Sequence, residues 1–147
     1  TVVADVVLAS HGHVTGVIPE TLVEREVVHR GLSELRIVQS MHERKSVMAE
    51  LSDGFVALPG GIGTMEEFFE VLSWAQLGMH DKPCGLLNVC GYYQPIVQFL
   101  DDAVDEDFLK PKHRALLIVE AESDRLLDRF EEFIATHGTR GFDRAKT

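Results

Sequence analysis

Basic side chains are few in this sequence. Fourteen lysines and arginines stand against 24 aspartates and glutamates, which gives a formal net charge of −10. Nucleic-acid polymers are bound largely through basic side chains on their phosphates, so this balance argues against DNA or RNA as a partner. A small phosphorylated ligand remains compatible with it, because one local group of donors is enough to bind such a ligand.

Long apolar runs and cysteines are also scarce. No apolar run approaches the ~20 residues that span a bilayer, so no membrane partner is predicted. Neither a secretory signal nor a transit peptide is visible. Cys84 and Cys90 are predicted to lie on one strand, where six residues at ~3.3 Å each would place them ~20 Å apart and prevent pairing. Two free thiols are typical of a reducing compartment and favour a cytoplasmic location.

Short apolar runs alternate with segments of helical periodicity along the 147 residues. This alternation predicts an α/β fold, namely a Rossmann-like, doubly wound parallel sheet with helices on both faces and ligands at the carboxyl ends of its strands. The length suits a single domain, residues 1–147. The predicted strands are 14–18, 35–38, 55–58, 84–89 and 116–119, and the predicted helices are 1–10, 41–51, 64–77, 92–104 and 123–136.

The most informative stretch is residues 54–74, GFVALPGGIGTMEEFFEVLSW. An apolar run enters a Pro-Gly-Gly turn, and a helical pattern follows. Gly60, Gly61 and Gly63 lack a Cβ atom, so the backbone there can take positive φ and can let a ligand approach its N–H groups. The start of the next helix adds unpaired N–H donors and partial positive charge, a combination typical of a phosphate site. Neither the Walker lysine nor the G-x-G-x-x-G spacing is present, and a plain tight turn is the alternative.

One basic side chain falls on an apolar helix face. On the helix over residues 41–51, Arg44 shares a side with Met41, Met48 and Leu51, and Lys45 borders that side. Arg44 can extend its guanidinium into water from such a position, or it can bind an anionic ligand.

The helix after the glycine turn carries two adjacent glutamates. Glu67 projects on the apolar side, whereas Glu66 lies on the polar side. Thr64 and Glu67 match the T-x-x-E capping box, in which the glutamate bonds back to the amide that begins the helix. Glu67 is therefore either a helix cap or a carboxylate that serves a ligand.

Histidines give weaker signals. His11 and His13 could suggest a metal, but no third ligand is defined, so no metal site is predicted. His80 and Asp81 have side chains of a catalytic type, and surface positions explain them equally well.

The segments MHERK at 41–45 and PGGIGTMEE at 59–67 resemble the LOG family of cytokinin riboside 5'-monophosphate phosphoribohydrolases. That family was long labelled lysine decarboxylase-like, and its signature is PGGxGTxxE. The flanking GVIPETLVEREV and WAQLGMHDKPCGLLNVCGYY are similar to it too. Family members begin with a further βαβ unit that this sequence lacks, so an N-terminally incomplete domain is expected.

The resemblance implies hydrolysis of the N-glycosidic bond of a nucleoside 5'-monophosphate, an EC 3.2.2-type reaction that releases free base and ribose 5-phosphate. It implies no metal, no cofactor and a cytoplasmic homodimer with the site near the interface. Arg44 and Glu67 match the family's catalytic pair. The substrate-binding positions would be Glu26, Lys45, Gly60, Gly61, Ile62, Gly63, Thr64, Glu66 and Ser73.

Two other functions stay open at this point. Molybdenum-cofactor carrier proteins resemble this family and hold a phosphate with a glycine turn but cleave nothing; the pair of Arg44 and Glu67 favours the hydrolase. A lysine decarboxylase would need pyridoxal phosphate on a Schiff-base lysine, and Lys45 is the only tempting one. The base, cytokinin or plain adenine, is also open, since Met41 and Met48 can form an apolar slot or ordinary helix packing.

Overall fold

A computed structural model describes residues 2–23, 31–138 and 141. The chain divides into two compact units, Thr1–Leu51 and Ser52–Thr147. Each sheet is built from parallel strand pairs, and helices accompany the strands in both units. The predicted α/β class is therefore confirmed, while the single domain over residues 1–147 stays a prediction. Among the described helices, none is both long and apolar enough to cross a membrane.

The first unit holds a two-stranded parallel sheet in which Thr15 lies opposite Glu34 and Pro19 lies opposite Val38. Its elements are α1 (Val2–Ala9), β1 (Thr15–Pro19), a 3₁₀ turn (Glu20–Leu22), β2 (Glu34–Val38) and α2 (Met41–Leu51). Helix α1 ends within one residue of the predicted end at residue 10. His11 takes a left-handed φ of 61°, and the Gly12 N–H donates to the Val7 carbonyl at 2.8 Å, which closes the helix as a Schellman motif does.

The bounds of α2 match the prediction, but its buried face does not. The buried residues are Ser46, Val47 and Ala49. Met41 and Leu51, predicted to share an apolar face with Arg44, are 43% and 45% exposed. Helix α2 packs on β1 and β2, and short side chains let a helix come close to a sheet, so the face with small residues is the one buried.

The second unit has a three-stranded parallel sheet in the order β3-β4-β5. Cys84 lies opposite Phe55 on one side and Leu117 on the other. Its elements are β3 (Phe55–Ala57), α3 (Ile62–Gln76), β4 (Cys84–Leu87), a 3₁₀ turn (Val89–Gly91), α4 (Gln94–Asp105), α5 (Pro111–Arg114), β5 (Leu117–Glu120) and α6 (Ser123–His137). The short helix α5 is absent from the predicted set, and Cys90 lies beyond the end of β4, so the prediction of both cysteines on one strand is wrong.

Helices cover both faces of this sheet, as predicted. On one face the buried cluster joins Leu86 and Leu117 to Phe68 of α3 and Val97 of α4. On the other face Ile118 packs with Leu126 and Phe130 of α6. Gly85 faces α6 as well, where a Cβ atom would come within 2.7 Å of Phe130 and 2.8 Å of Leu126.

The carboxyl ends of parallel strands meet at the same edge of a sheet. The glycine turn after β3 and the connection after β4, residues 88–93, therefore lie side by side at this edge. Ligand sites of open α/β sheets occur at such edges.

Candidate functional site

The glycine turn leads directly into the start of α3. Gly61 is the N-cap residue, with φ −101° and ψ −151°, and no side chain caps the helix. The first hydrogen bond along the helix runs from the Met65 N–H to the Gly61 carbonyl at 3.1 Å. The N–H groups of Gly61, Ile62, Gly63 and Thr64 have no acceptor within the helix, and no acidic residue lies in its first turn. Four donors and the positive end of the helix dipole thus share one place.

The three glycines differ in their surroundings. A Cβ atom at Gly61 or Gly63 would meet nothing within 4 Å, which leaves open space where an anion can approach the backbone. A Cβ atom at Gly60 would overlap the Thr64 hydroxyl and lie 2.9 Å from the Thr64 Cβ. Positive φ occurs at Gly78, Gly91 and Gly138 and not at the three glycines of the turn, so what their missing Cβ atoms allow here is close approach of a ligand.

The capping-box alternative for Glu67 is wrong. Helix α3 begins at Ile62, two residues earlier than predicted, so Thr64 is its third residue and lies inside the helix. Glu67 follows Gly63 and Thr64 by one helical turn, the spacing at which side chains share a face. It is half-buried, while Glu66 is exposed. The Glu67 carboxylate makes no hydrogen bond or ion pair with another described residue, and along α3 it lies one turn beyond the four N–H donors.

Arg44 and Lys45 lie on α2 in the first unit, and both are half-buried. The Arg44 Nε atom is buried and has no hydrogen-bond partner among residues 2–23 and 31–138. A buried guanidinium nitrogen without a partner is costly. Arg44 therefore differs from a surface arginine whose whole guanidinium group is in contact with water. An anionic ligand would accept the hydrogen bond that its Nε atom can donate.

Ser73 does not lie with the turn. It is eleven residues beyond Ile62 along α3, which corresponds to about 16 Å of helix. It lines a separate cavity of about 100 Å³, whose other lining residues are Phe69, Leu72, Gln76, Leu100, Leu109, His113, Arg114 and Leu117. Glu26, the remaining predicted site residue, falls outside the described residues.

Two tyrosines contact the glycine turn, which the sequence did not indicate. The Tyr92 hydroxyl donates to the Gly60 carbonyl at 2.8 Å, and the Tyr93 hydroxyl donates to the Leu58 carbonyl at 2.6 Å. These pairs are 32 and 35 residues apart in the chain. Two hydroxyl-bearing aromatics just after the neighbouring strand were the only signal available.

His80 has a structural role rather than a catalytic or a surface one. Its side chain is fully buried. The Lys82 N–H donates to Nδ1 at 3.0 Å, so Nδ1 is the acceptor and the proton of the neutral ring lies on Nε2. Nε2 then donates to the Val71 carbonyl at 2.8 Å. Burial lowers the pKa of His80, and the bond to Val71 partly opposes this shift.

His13 of the first unit lies near an acidic side chain. Nε2 of His13 lies 3.7 Å from Glu34 Oε2. In the described part of the chain, no group of three or more His, Cys, Asp or Glu side chains is placed to hold a metal ion.

The geometry of the second unit defines a class, an α/β protein with a candidate anion site at a glycine turn and a carboxylate one helical turn further on. A sequence model of the family described as "Possible lysine decarboxylase" matches residues 1–130. The chain belongs to this family, and the predicted resemblance is confirmed.

Several curated relatives of the chain carry more specific names than the family does. The chain is 50% identical over 125 residues to the probable cytokinin riboside 5'-monophosphate phosphoribohydrolase LOGL2 of Oryza sativa subsp. japonica, covering 85% of this chain and 51% of the relative. It is 52% identical over 132 residues to LOGL9 of the same species, covering 90% and 58%. It is 48% identical over 125 residues to the cytokinin riboside 5'-monophosphate phosphoribohydrolase LOG1 of Arabidopsis thaliana, covering 85% and 59%. The chain thus spans little more than half the length of these relatives.

Proposed function

We propose that the protein hydrolyses the N-glycosidic bond of a nucleoside 5'-monophosphate, which releases the free base and ribose 5-phosphate. The observation that carries this proposal is the pairing on α3 of four N–H donors with Glu67. The donors suit a dianionic phosphate. A carboxylate so close to a phosphate site has a use only if it serves another part of the ligand. The names of the relatives, which act on cytokinin riboside monophosphates, support the same reaction.

The reaction separates charge in a way that a carboxylate can assist. The bond between C1' and the base nitrogen breaks with its electron pair going to the base, and positive charge develops on the ribose. A water molecule adds at C1' and loses a proton, while the base gains one. Glu67 would stabilise the developing charge or accept the proton from water. Arg44 would neutralise phosphate or assist the departing base, and Lys45 and Glu26 would contact substrate.

The test is activity of the protein expressed from its complete coding sequence, with AMP and with isopentenyladenosine monophosphate, against Glu67→Gln. We expect free base from the wild type and a loss of about 10²-fold or more in kcat for the variant, the usual scale for acid–base groups. Nucleotide binding should persist, because the N–H donors are unchanged. Glu131→Gln, an exposed glutamate on α6, is the matched control and should keep full activity.

Binding of both nucleotides without cleavage by the wild type would refute the hydrolase and favour a carrier of phosphorylated ligands.

The ratio of the rates with isopentenyladenosine monophosphate and with AMP also reports base preference. Met41 is exposed on α2 rather than packed, and with Met48 it would offer apolar contact to an isopentenyl group. A rate higher for AMP than for the isopentenylated nucleotide would count against that contact.

Lysine decarboxylation, the other activity in the family description, needs pyridoxal phosphate bonded to a lysine. Residues 58–76, which form the glycine turn and α3, contain no lysine. Lys45 lies on α2 and already takes part in an interaction. These residues do not fit that cofactor.

The homodimer implied by the family is part of the proposal, as is the cytoplasmic location. The large apolar side chains of Phe68 and Trp74 on α3 are buried in this chain, so they offer little surface to a partner. Support for a dimer thus comes from the family resemblance. Light scattering during size-exclusion chromatography measures the mass of the protein directly. A monomeric mass at micromolar concentration would exclude a stable dimer.

A further inference from the structure

The tyrosine hydroxyls act on the turn that precedes the four N–H donors. Tyr92 binds the carbonyl of Gly60 and Tyr93 that of Leu58. Neither tyrosine belongs to α3 or to β3. The turn is therefore fixed from the connection after β4, at two carbonyls two residues apart.

The bond to Gly60 sets the direction of a donor. The peptide between Gly60 and Gly61 is trans, so the Gly61 N–H points opposite to the Gly60 carbonyl within one plane. With the carbonyl held by Tyr92, this N–H is directed away from Tyr92. A hydrogen bond to the carbonyl also polarises the peptide and strengthens the hydrogen bond that its N–H donates, by about 10–30% per bond.

The tyrosines are themselves held in place. The Tyr93 N–H donates to the Asn88 side-chain oxygen at 2.7 Å, and the Asn88 N–H donates to the Glu120 carbonyl at 2.8 Å. Tyr93 is 2% exposed, and its ring meets that of Tyr92 edge-on at 5.0 Å between centroids. The connection is thus tied to β5 and to the core, so the Tyr92 hydroxyl reaches Gly60 from a fixed base.

We propose that Tyr92 is a positioning residue for phosphate, acting through the Gly60–Gly61 peptide, with Tyr93 as its buried anchor. This inference rests on the proposed function, because it takes the turn to be the phosphate site. Tyr92 does not touch the reacting bond in this scheme. Loss of the Tyr92 hydroxyl should lower the affinity for phosphate and leave the rate of the chemical step unchanged.

The test is Tyr92→Phe, which removes the hydroxyl and keeps the ring. We expect KM for AMP and Kd for ribose 5-phosphate to rise about three- to tenfold, the usual range for one neutral hydrogen bond, with kcat within about twofold. Kd for adenosine, which lacks phosphate, should not change. Thr136→Val is the matched control, because the Thr136 hydroxyl also donates to a backbone carbonyl, that of Glu132 at 2.8 Å, but on α6. It should alter none of these constants.

Equal effects on ribose 5-phosphate and adenosine, or no effect on either, would overturn the inference while the hydrolase stands. If the wild type binds ribose 5-phosphate but cleaves no nucleotide, the proposed function fails, and the two Kd values still decide about Tyr92. A wild type without affinity for ribose 5-phosphate would overturn the inference as well. Tyr93→Phe should also weaken phosphate binding, with a lower thermal midpoint because the Leu58 carbonyl loses its donor.

Discussion

His80 offers a test of the fold that is independent of any ligand. Replacing it with alanine removes a buried ring and leaves the Lys82 N–H, which donates to Nδ1 at 3.0 Å, without its acceptor. The cavity and the orphaned donor together should reduce the free energy of unfolding by roughly 3–5 kcal/mol. Asparagine at this position retains a short side-chain oxygen that can accept from the same N–H. His80→Asn should therefore recover about 1–2 kcal/mol of that loss.

The difference between wild type and either variant should depend on pH. Burial lowers the pKa of His80 in the folded protein, while the unfolded chain has a histidine pKa of about 6.5. Below pH ~6.5 the unfolded state binds the extra proton, so the contribution of the neutral ring is complete above that pH and is lost as pH falls towards the folded-state pKa. The expected loss is at most about 1.4 kcal/mol per pH unit.

Urea unfolding followed by fluorescence measures both effects, because Trp74 is the single tryptophan and is 8% exposed. Titrations at pH 7.5, 6.5 and 5.5 should show the wild-type advantage shrinking at low pH. The difference between His80→Asn and His80→Ala should stay constant, since neither variant titrates there. A wild-type advantage that is the same at all three values would show that His80 is not held neutral, and equal stability of the two variants would refute the hydrogen bond to Lys82.

Two further predictions concern small side chains. Burial raises the pKa of the Cys84 thiol to about 12, whereas Cys90 is exposed. A thiol reagent at pH 8 should therefore label one cysteine per folded chain and two after denaturation. Rapid labelling of both cysteines in the folded protein would contradict this. Gly63→Ala should leave stability unchanged or raised by up to about 1 kcal/mol while weakening phosphate binding, because its methyl group enters open space at the turn. In Gly85→Ala the new Cβ would lie 2.7 Å from Phe130, so the free energy of unfolding should fall by about 1–3 kcal/mol. Urea titration measures the stability of both glycine variants. A Gly63→Ala protein less stable than Gly85→Ala would contradict the packing described for the two positions.

Local sequence patterns located the elements because each depends on neighbours a few residues away. The alternation of apolar runs predicted the five strands of the described residues to within two residues at each end, and the predicted bounds of α2 agree with those observed. The pattern failed where two local rules competed. Thr64 has the residue type of an N-cap, but the backbone of Gly61 begins the helix without a side-chain cap. A periodicity argument also cannot say which side of α2 approaches the sheet, since that depends on the space left by β1 and β2.

The candidate site was predictable to the extent that it lies in one continuous segment. The donors at the glycine turn and Glu67 fall within eight residues, so the sequence alone associates them. The hydrogen bonds from Tyr92 and Tyr93 to the turn could not be predicted from that segment, because they depend on β3 and β4 being neighbours in the sheet. Ser73 lies about 16 Å of helix beyond Ile62 and lines a separate cavity, so its role in the ligand site stays a prediction from the family position.

The contacts on α3 explain how Glu67 can be held beside the donors. At its start the turn is fixed by the two tyrosines, and nine residues into the helix the Val71 carbonyl accepts from His80. Between these points Phe68 is 4% exposed in the core, directly after Glu67 in the chain. Residue 67 thus lies between two anchored ends, on a segment whose next side chain cannot leave the core without opening the sheet. Since Val71 is about 14 Å of helix beyond Ile62, the two anchors are far enough apart for their free energies to add, so the stability given by His80 and the orientation given by Tyr92 are separate properties of one helix.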